Sequence, residues 1–174
     1  MIKQIEKLEE ELNNFFKEKL KIRQIKECEY PLLDEFLYKA IYIPKDEVAP
    51  PKNVTKLPEL QVYIKDFGKS KNDIGFIAEF NKKVIGMIWA RVMNDYGHID
   101  NKTPSLAMSV DKKFQNKGIG TILLRKILED LKEKNYEKVS LSVQKENYAV
   151  KLYKKLGFKV FKETSEEFIM LLEL

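Results

Sequence analysis

Apolar positions at three- and four-residue spacings alternate along the chain with two-residue alternations, and the two periods divide it into helices and strands. Ile5, Leu8, Leu12 and Phe15, with Ile2 beside them, predict an amphipathic helix over residues 2–20. Lys21 to Lys26 alternates as a short strand. After Pro31, residues Leu32, Leu33, Phe36, Leu37, Ala40 and Ile41 share one helical face, and Pro44 bounds that helix. Residues 44–58 hold Pro44, Pro50, Pro51 and Pro58 with little periodicity, which predicts a loop and a candidate substrate-side element. Leu60 to Phe67 reads as a short helix leading into Gly68. Strands are expected at Ile74 to Phe80 and Val84 to Met93, joined by the compact connection Asn81-Lys82-Lys83, and at Ser105 to Val110. A helix follows Gly120, with Ile122, Leu123, Ile127, Leu128 and Leu131 as its apolar face. Val139, Leu141 and Val143 mark a strand, Tyr148 to Leu156 a short helix stopped at Gly157. Phe158 to Phe161 and Glu167 to Leu172 are two closing strands. The pattern predicts an α/β (α+β) domain over 21–174, a mixed, mostly antiparallel sheet of six to seven strands flanked by helices, preceded by a helical extension over 1–20.

Composition narrows the class. With 174 residues, 44% of them apolar, the chain is long enough to bury one substantial core, which excludes a disordered chain. One cysteine, Cys28, and one histidine, His98, exclude a disulfide framework and a Cys/His zinc site, so no metal is expected. The longest apolar run, Val84 to Ala90, is far short of the ~20 residues a membrane span needs. No signal-peptide core is visible at the charged N-terminus, so a cytoplasmic protein without membrane contact is expected. The first helix's apolar stripe is expected to pack on its own domain, with a homodimer contact as the alternative.

The stretch with chemical content runs from Ser105 to Leu131. A strand enters a turn, then Gln115-Asn116-Lys117-Gly118-Ile119-Gly120, then directly a helix. Amides at a helix start lack intrahelical partners and carry partial positive charge, and Gly118 and Gly120 let an anion approach the backbone. The Rossmann fingerprint needs a third glycine where Leu123 stands, and the P-loop pattern is absent.

Gln115-x-x-Gly118-x-Gly120 between a strand and an amphipathic helix resembles motif A of the GNAT N-acetyltransferase superfamily. Asn147-Tyr148-Ala149-Val150-Lys151-Leu152-Tyr153-Lys154-Lys155-Leu156-Gly157-Phe158 is similar to that family's N-x-A-x-x-L-Y-x-x-L-G-F element. The resemblance implies transfer of an acetyl group from acetyl-CoA to a primary amine, of a small molecule or a protein, by direct attack in a ternary complex. It implies a strand that splays from its neighbour, with the backbone of Met108, Ser109 and Val110 holding the pantetheine arm. The run Gln115, Asn116, Lys117, Gly118, Ile119, Gly120 and Thr121 would then hold the pyrophosphate, and Asn147 would bond the arm, although an asparagine there also serves as a helix N-cap. Tyr153 is the implied general acid to the thiolate, and the Met108 amide the oxyanion donor. Many relatives carry a glutamate in the strand before motif A, where this chain has Ser105. Glu79, Asp100, His98 or a water stands open as the base. A CoA-binding sensor without turnover and a basic nucleic-acid-binding module are the competing classes. Against the second, lysines alternate with glutamates on the predicted helices.

The net charge of +5 is uneven. Residues 111–160 carry 13 lysines and arginines against 6 acidic residues, while the remainder carries 19 against 21. The excess coincides with the segment expected to meet phosphates.

Overall fold

The computed structural model describes residues 14, 16 and 18–174. Most of the helix expected over 2–20 lies outside the described residues. Strand β1 (Leu20–Gln24) begins at the edge of a seven-stranded sheet with order β1-β2-β3-β4-β5-β7-β6. The other strands are β2 (Ile74–Phe80), β3 (Lys83–Arg91), β4 (Ser105–Val110), β5 (Lys138–Gln144), β6 (Lys159–Glu163) and β7 (Glu167–Glu173). All neighbours are antiparallel except β4 and β5.

Helix α1 (Leu32–Ala40) covers one face of the sheet, and α3 (Ile119–Glu133) the other. Alternation along the strands supplies both cores. Ile74, Phe76, Ile88 and Ala90 meet Leu123, Leu124, Ile127 and Leu131 of α3, whereas Ile77, Met87 and Trp89 meet Leu33, Phe36 and Leu37 of α1. A sheet buried on both faces explains why β2 and β3 read as nearly continuous apolar runs.

The connections follow local chemistry. Asn81 and Lys82 both have positive φ, which makes the β2–β3 connection a two-residue type I′ turn with Lys83 already paired to Phe80. Pro58 starts a one-turn helix, α2 (Pro58–Gln61), earlier than the helix expected from Leu60, and the chain then turns irregularly to Gly68. Within the proline-rich loop, Lys52–Lys56 forms a 3₁₀ turn. Arg91 fixes the segment before β2, pairing with Asp73 at 3.0 Å and donating to the Val62 and Lys65 carbonyls. No helix among the described residues is long and apolar enough to cross a membrane.

Candidate active site

β4 and β5 pair at one register position, Ser105 with Ser140, and beyond it they diverge. The gap opens into a cavity of about 860 Å³, with Leu106 to Val110 on one wall and Ser142 to Gln144 on the other. Asp111 donates its amide to the Ile85 carbonyl, so the alternation of an antiparallel ladder directs the backbone groups of Ser105, Ala107 and Ser109 toward β3. Those of Leu106, Met108 and Val110 therefore face the gap. The Val110 carbonyl accepts from Gln115 Nε2 at 3.1 Å. Ser109 contributes neither group to the gap: its backbone faces Met87, and its hydroxyl donates to the Phe36 carbonyl at 2.6 Å.

The turn after β4 delivers the chain to the start of α3. Asn116 and Gly118 both hold positive φ, at 60° and 79°. Ile122 makes the first intrahelical bond, to the Gly118 carbonyl. The amides of Ile119, Gly120 and Thr121 precede that bond and lack helical acceptors. A Cβ built at Gly118 would meet no atom within 4 Å, so the space above it is open. Gln115, Asn116 and Gly118 to Thr121 line the cavity. Lys117 does not: its ammonium lies 6.0 Å from the Phe16 ring centre.

Across the gap, α4 (Ala149–Lys155) presents Tyr153 and follows Asn147, and both line the cavity. Asn147 Oδ1 accepts from the Ala149 amide at 2.9 Å and so caps the helix start, while its Nδ2 makes no bond among the described residues. The helix ends in a Schellman motif. Phe158 N–H donates to the Tyr153 carbonyl and Gly157 N–H to that of Lys154, with Gly157 at φ 98°. The Phe158 ring meets the Tyr153 ring edge-on at 5.7 Å. The Leu-Gly-Phe sequence thereby holds the phenol in place. Burial, and secondarily the charge of Tyr148, pushes Tyr153 up to about 12. It is protonated at neutral pH, and no described group bonds its hydroxyl.

The residues considered for the base are held elsewhere. Glu79 is outside the cavity wall, because Arg23 on β1 takes its Oε2 at 2.7 Å and 3.1 Å. The expectation that Glu79 serves as base is corrected on that ground. Asp100 accepts the Lys102 and Thr103 amides, and these bonds pull its carboxyl below the ordinary range. His98 Nδ1 faces the Met93 carbonyl at 2.8 Å. Ser105 is fully buried and donates to Asp95 Oδ2 at 2.8 Å, which brings a carboxylate beside the position where the sequence offers only a hydroxyl.

Sequence reasoning missed Asp95 and the wall beside it, Tyr63, Tyr96 and Glu167. These come from three separate loops or strand ends, and no spacing links them. The segment flagged as substrate-side does reach the cavity, through Val54. Tyr42, just before it, donates to the Glu146 carbonyl at 3.3 Å across the mouth.

Residues 36–158 match the acetyltransferase (GNAT) family. Human N-acetylaspartate synthetase is 33% identical over 106 residues, covering 60% of this chain and 33% of that protein. An N-alpha-acetyltransferase of Sulfurisphaera tokodaii is 35% identical over 96 residues, covering 50% of this chain and 57% of that one. The chain thus spans between a third and somewhat over half of the length of these curated relatives. The structure of PaiA N-acetyltransferase from Thermoplasma acidophilum in complex with coenzyme A superposes with a TM-score of 0.66 at 20% identity, covering 89% of this chain and 99% of that one. At that identity the likeness shows the fold.

Proposed function

Because this chain belongs to the acetyltransferase (GNAT) family, we propose that it transfers the acetyl group of acetyl-CoA to an amine of a small molecule or a protein. The carrying observation is the gap between β4 and β5, flanked by a glycine-led helix start on one side and by Tyr153 on the other. The residues present fit the co-substrate. Free amides at Ile119 to Thr121 and the open space over Gly118 suit a pyrophosphate, and the gap-facing backbone of Met108 and Val110 suits an amide-bearing arm. Asn147 Nδ2 is available to that arm.

Acetyl-CoA supplies an activated thioester. A neutral amine attacks its carbonyl carbon, the C–N bond forms and the C–S bond breaks. The Met108 amide meets the developing oxyanion, and Tyr153 gives its proton to the departing thiolate. Solvent returns that proton. The amine's own proton leaves through water. No covalent enzyme intermediate is required, and the exposed Cys28 takes no part.

The test is release of free CoA thiol from acetyl-CoA across a panel of amines, with calorimetric titration of CoA. Amine-dependent release is expected, and absence of CoA binding refutes the reading. The chain is read as cytoplasmic, acting without nucleic acid or membrane. A homodimer is tested by sedimentation.

A further inference from the structure

We propose that the acceptor is an amine bearing a second positive charge, a diamine, a polyamine or a lysine-like side chain, seated against Glu167, Tyr63 and Tyr96 with Asp95 behind them. The inference rests on the acetyltransferase reading and narrows its acceptor.

The two faces of the sheet differ in charge where they meet the gap. The start of α3, read as the pyrophosphate cradle, lies on the face that Leu141 and Val143 share. Ser142 alternates with these residues and points to the other face, where its hydroxyl donates to Glu167 Oε2 at 3.0 Å. Ser105 points to that same face and donates to Asp95. The acceptor side of the gap therefore carries Glu167 in its wall and Asp95 behind it.

Neither carboxylate forms an ion pair among the described residues. Asp95 Oδ1 is buried, its carboxylate lies beside the Tyr63 phenol, and among the described residues Oδ1 meets no hydrogen-bond donor in good geometry. Among the described residues, the cations that line the cavity are Lys39 and Lys112. Lys39 is already bound by Glu35 and Asp111, and Lys112 adjoins Asp111 at the far end of β4. The tyrosines report the same field. Burial, then the Asp95 carboxylate, pushes the Tyr63 phenol up; burial, then Glu59 and Glu167, pushes up Tyr96. Two aromatic rings and the Glu167 carboxylate in the wall, with the Asp95 carboxylate behind them, form a receptor for an ammonium. A carboxylate-bearing amine would meet repulsion at the same wall. The apolar lining of Ile43, Val54 and Leu60 suits the methylene chain that separates two amines.

The experiment compares cadaverine, pentylamine and aspartate as acceptors at saturating acetyl-CoA. Cadaverine and pentylamine share a carbon chain and differ by one ammonium. We expect kcat/KM for cadaverine to exceed that for pentylamine by about tenfold or more, narrowing as salt is raised. Glu167→Gln keeps an acceptor for Ser142 and removes the charge. It should lower kcat/KM for cadaverine about tenfold more than for pentylamine, and Glu167→Asp should recover part of that difference. Equal use of both amines, preference for aspartate, or an equal loss on both amines in Glu167→Gln overturns the inference while leaving acetyl transfer in place. No thiol release with any of the three, CoA being bound, overturns the inference, and no release across the whole amine panel overturns both.

Discussion

Tyr153→Phe separates chemistry from packing. The phenol shifts from an ordinary 10 to about 12, chiefly by burial. The upward shift biases the group toward its neutral form, so it stays protonated throughout the neutral range. Such a group serves as a proton donor and not as a base. A positioned general acid contributes ~10²–10⁴-fold, so kcat should fall by that factor. Phenylalanine preserves the edge-on contact with Phe158, and no described group bonds the hydroxyl. Stability should therefore change by less than about 1 kcal/mol, and the KM for acetyl-CoA by less than about twofold. Since the wild-type proton is retained to about pH 12, its loss produces no alkaline limb below about pH 10. The ratio of wild-type to variant kcat should be constant between pH 6 and 9. Steady-state thiol release across that range, with thermal unfolding alongside, provides the measurement. A kcat within twofold of wild type refutes the acid role. A large loss carried by KM alone would instead mark Tyr153 as a wall residue.

Three further outcomes follow from local geometry. Gly157→Ala places a Cβ at φ 98° and 3.2 Å from Leu172 Cδ1, so the Schellman turn strains by about 1–2 kcal/mol; denaturant titration reads the loss, and unchanged stability counts against the turn. Gly97→Ala would set a Cβ 2.5 Å from Ser105 Oγ and 3.0 Å from β5 backbone, displacing Asp95's partner; reduced stability together with reduced kcat/KM is expected, and a variant normal in both refutes the close approach. Glu29 is held down to about 2 from 4.5, first by its hydrogen bonds from Arg23; a depressed folded value stabilises above about pH 4.5 and is lost as pH falls toward 2, so Glu29→Gln should cost about 1–3 kcal/mol at pH 7 and nearly nothing at pH 2 by chemical denaturation.

The elements were legible where local chemistry and tertiary packing agree. β4 was readable to the residue because Ser105 to Val110 is bounded by Pro104 and by the Asp111 turn. Gly157 was readable because only a left-handed terminus needs glycine there. The helix expected from Leu60 to Phe67 starts instead at Pro58, since proline presets the first helical position, and an apolar run without a cap cannot locate that start. The cavity wall at the start of α3 shares this legibility. Its residues are consecutive, their backbone amides act irrespective of side chain, and glycine spacing is visible in a string of letters.

The acceptor side obeys other rules. Asp95, Tyr63, Tyr96 and Glu167 reach one wall only because β5 and β7 pair in a register that sets Glu167 opposite Gln144, and because Ser105 turns its hydroxyl to Asp95. No periodicity encodes such a meeting. The sequence shows Ser105 where an acid is expected before motif A, and it does not show that the Ser105 hydroxyl meets a carboxylate from the β3–β4 loop ten positions earlier. The charge pattern adds a consequence. The basic excess of residues 111–160 lies in the segment that builds the start of α3, while among the described residues Glu167 and Asp95 form no ion pair on the opposite face of the sheet. Substrates of opposite charge can then approach one gap from opposite faces, each drawn to its own side. Salt should therefore weaken the use of both a polyanionic donor and a dicationic acceptor, whereas for a neutral acceptor only the donor's KM should respond.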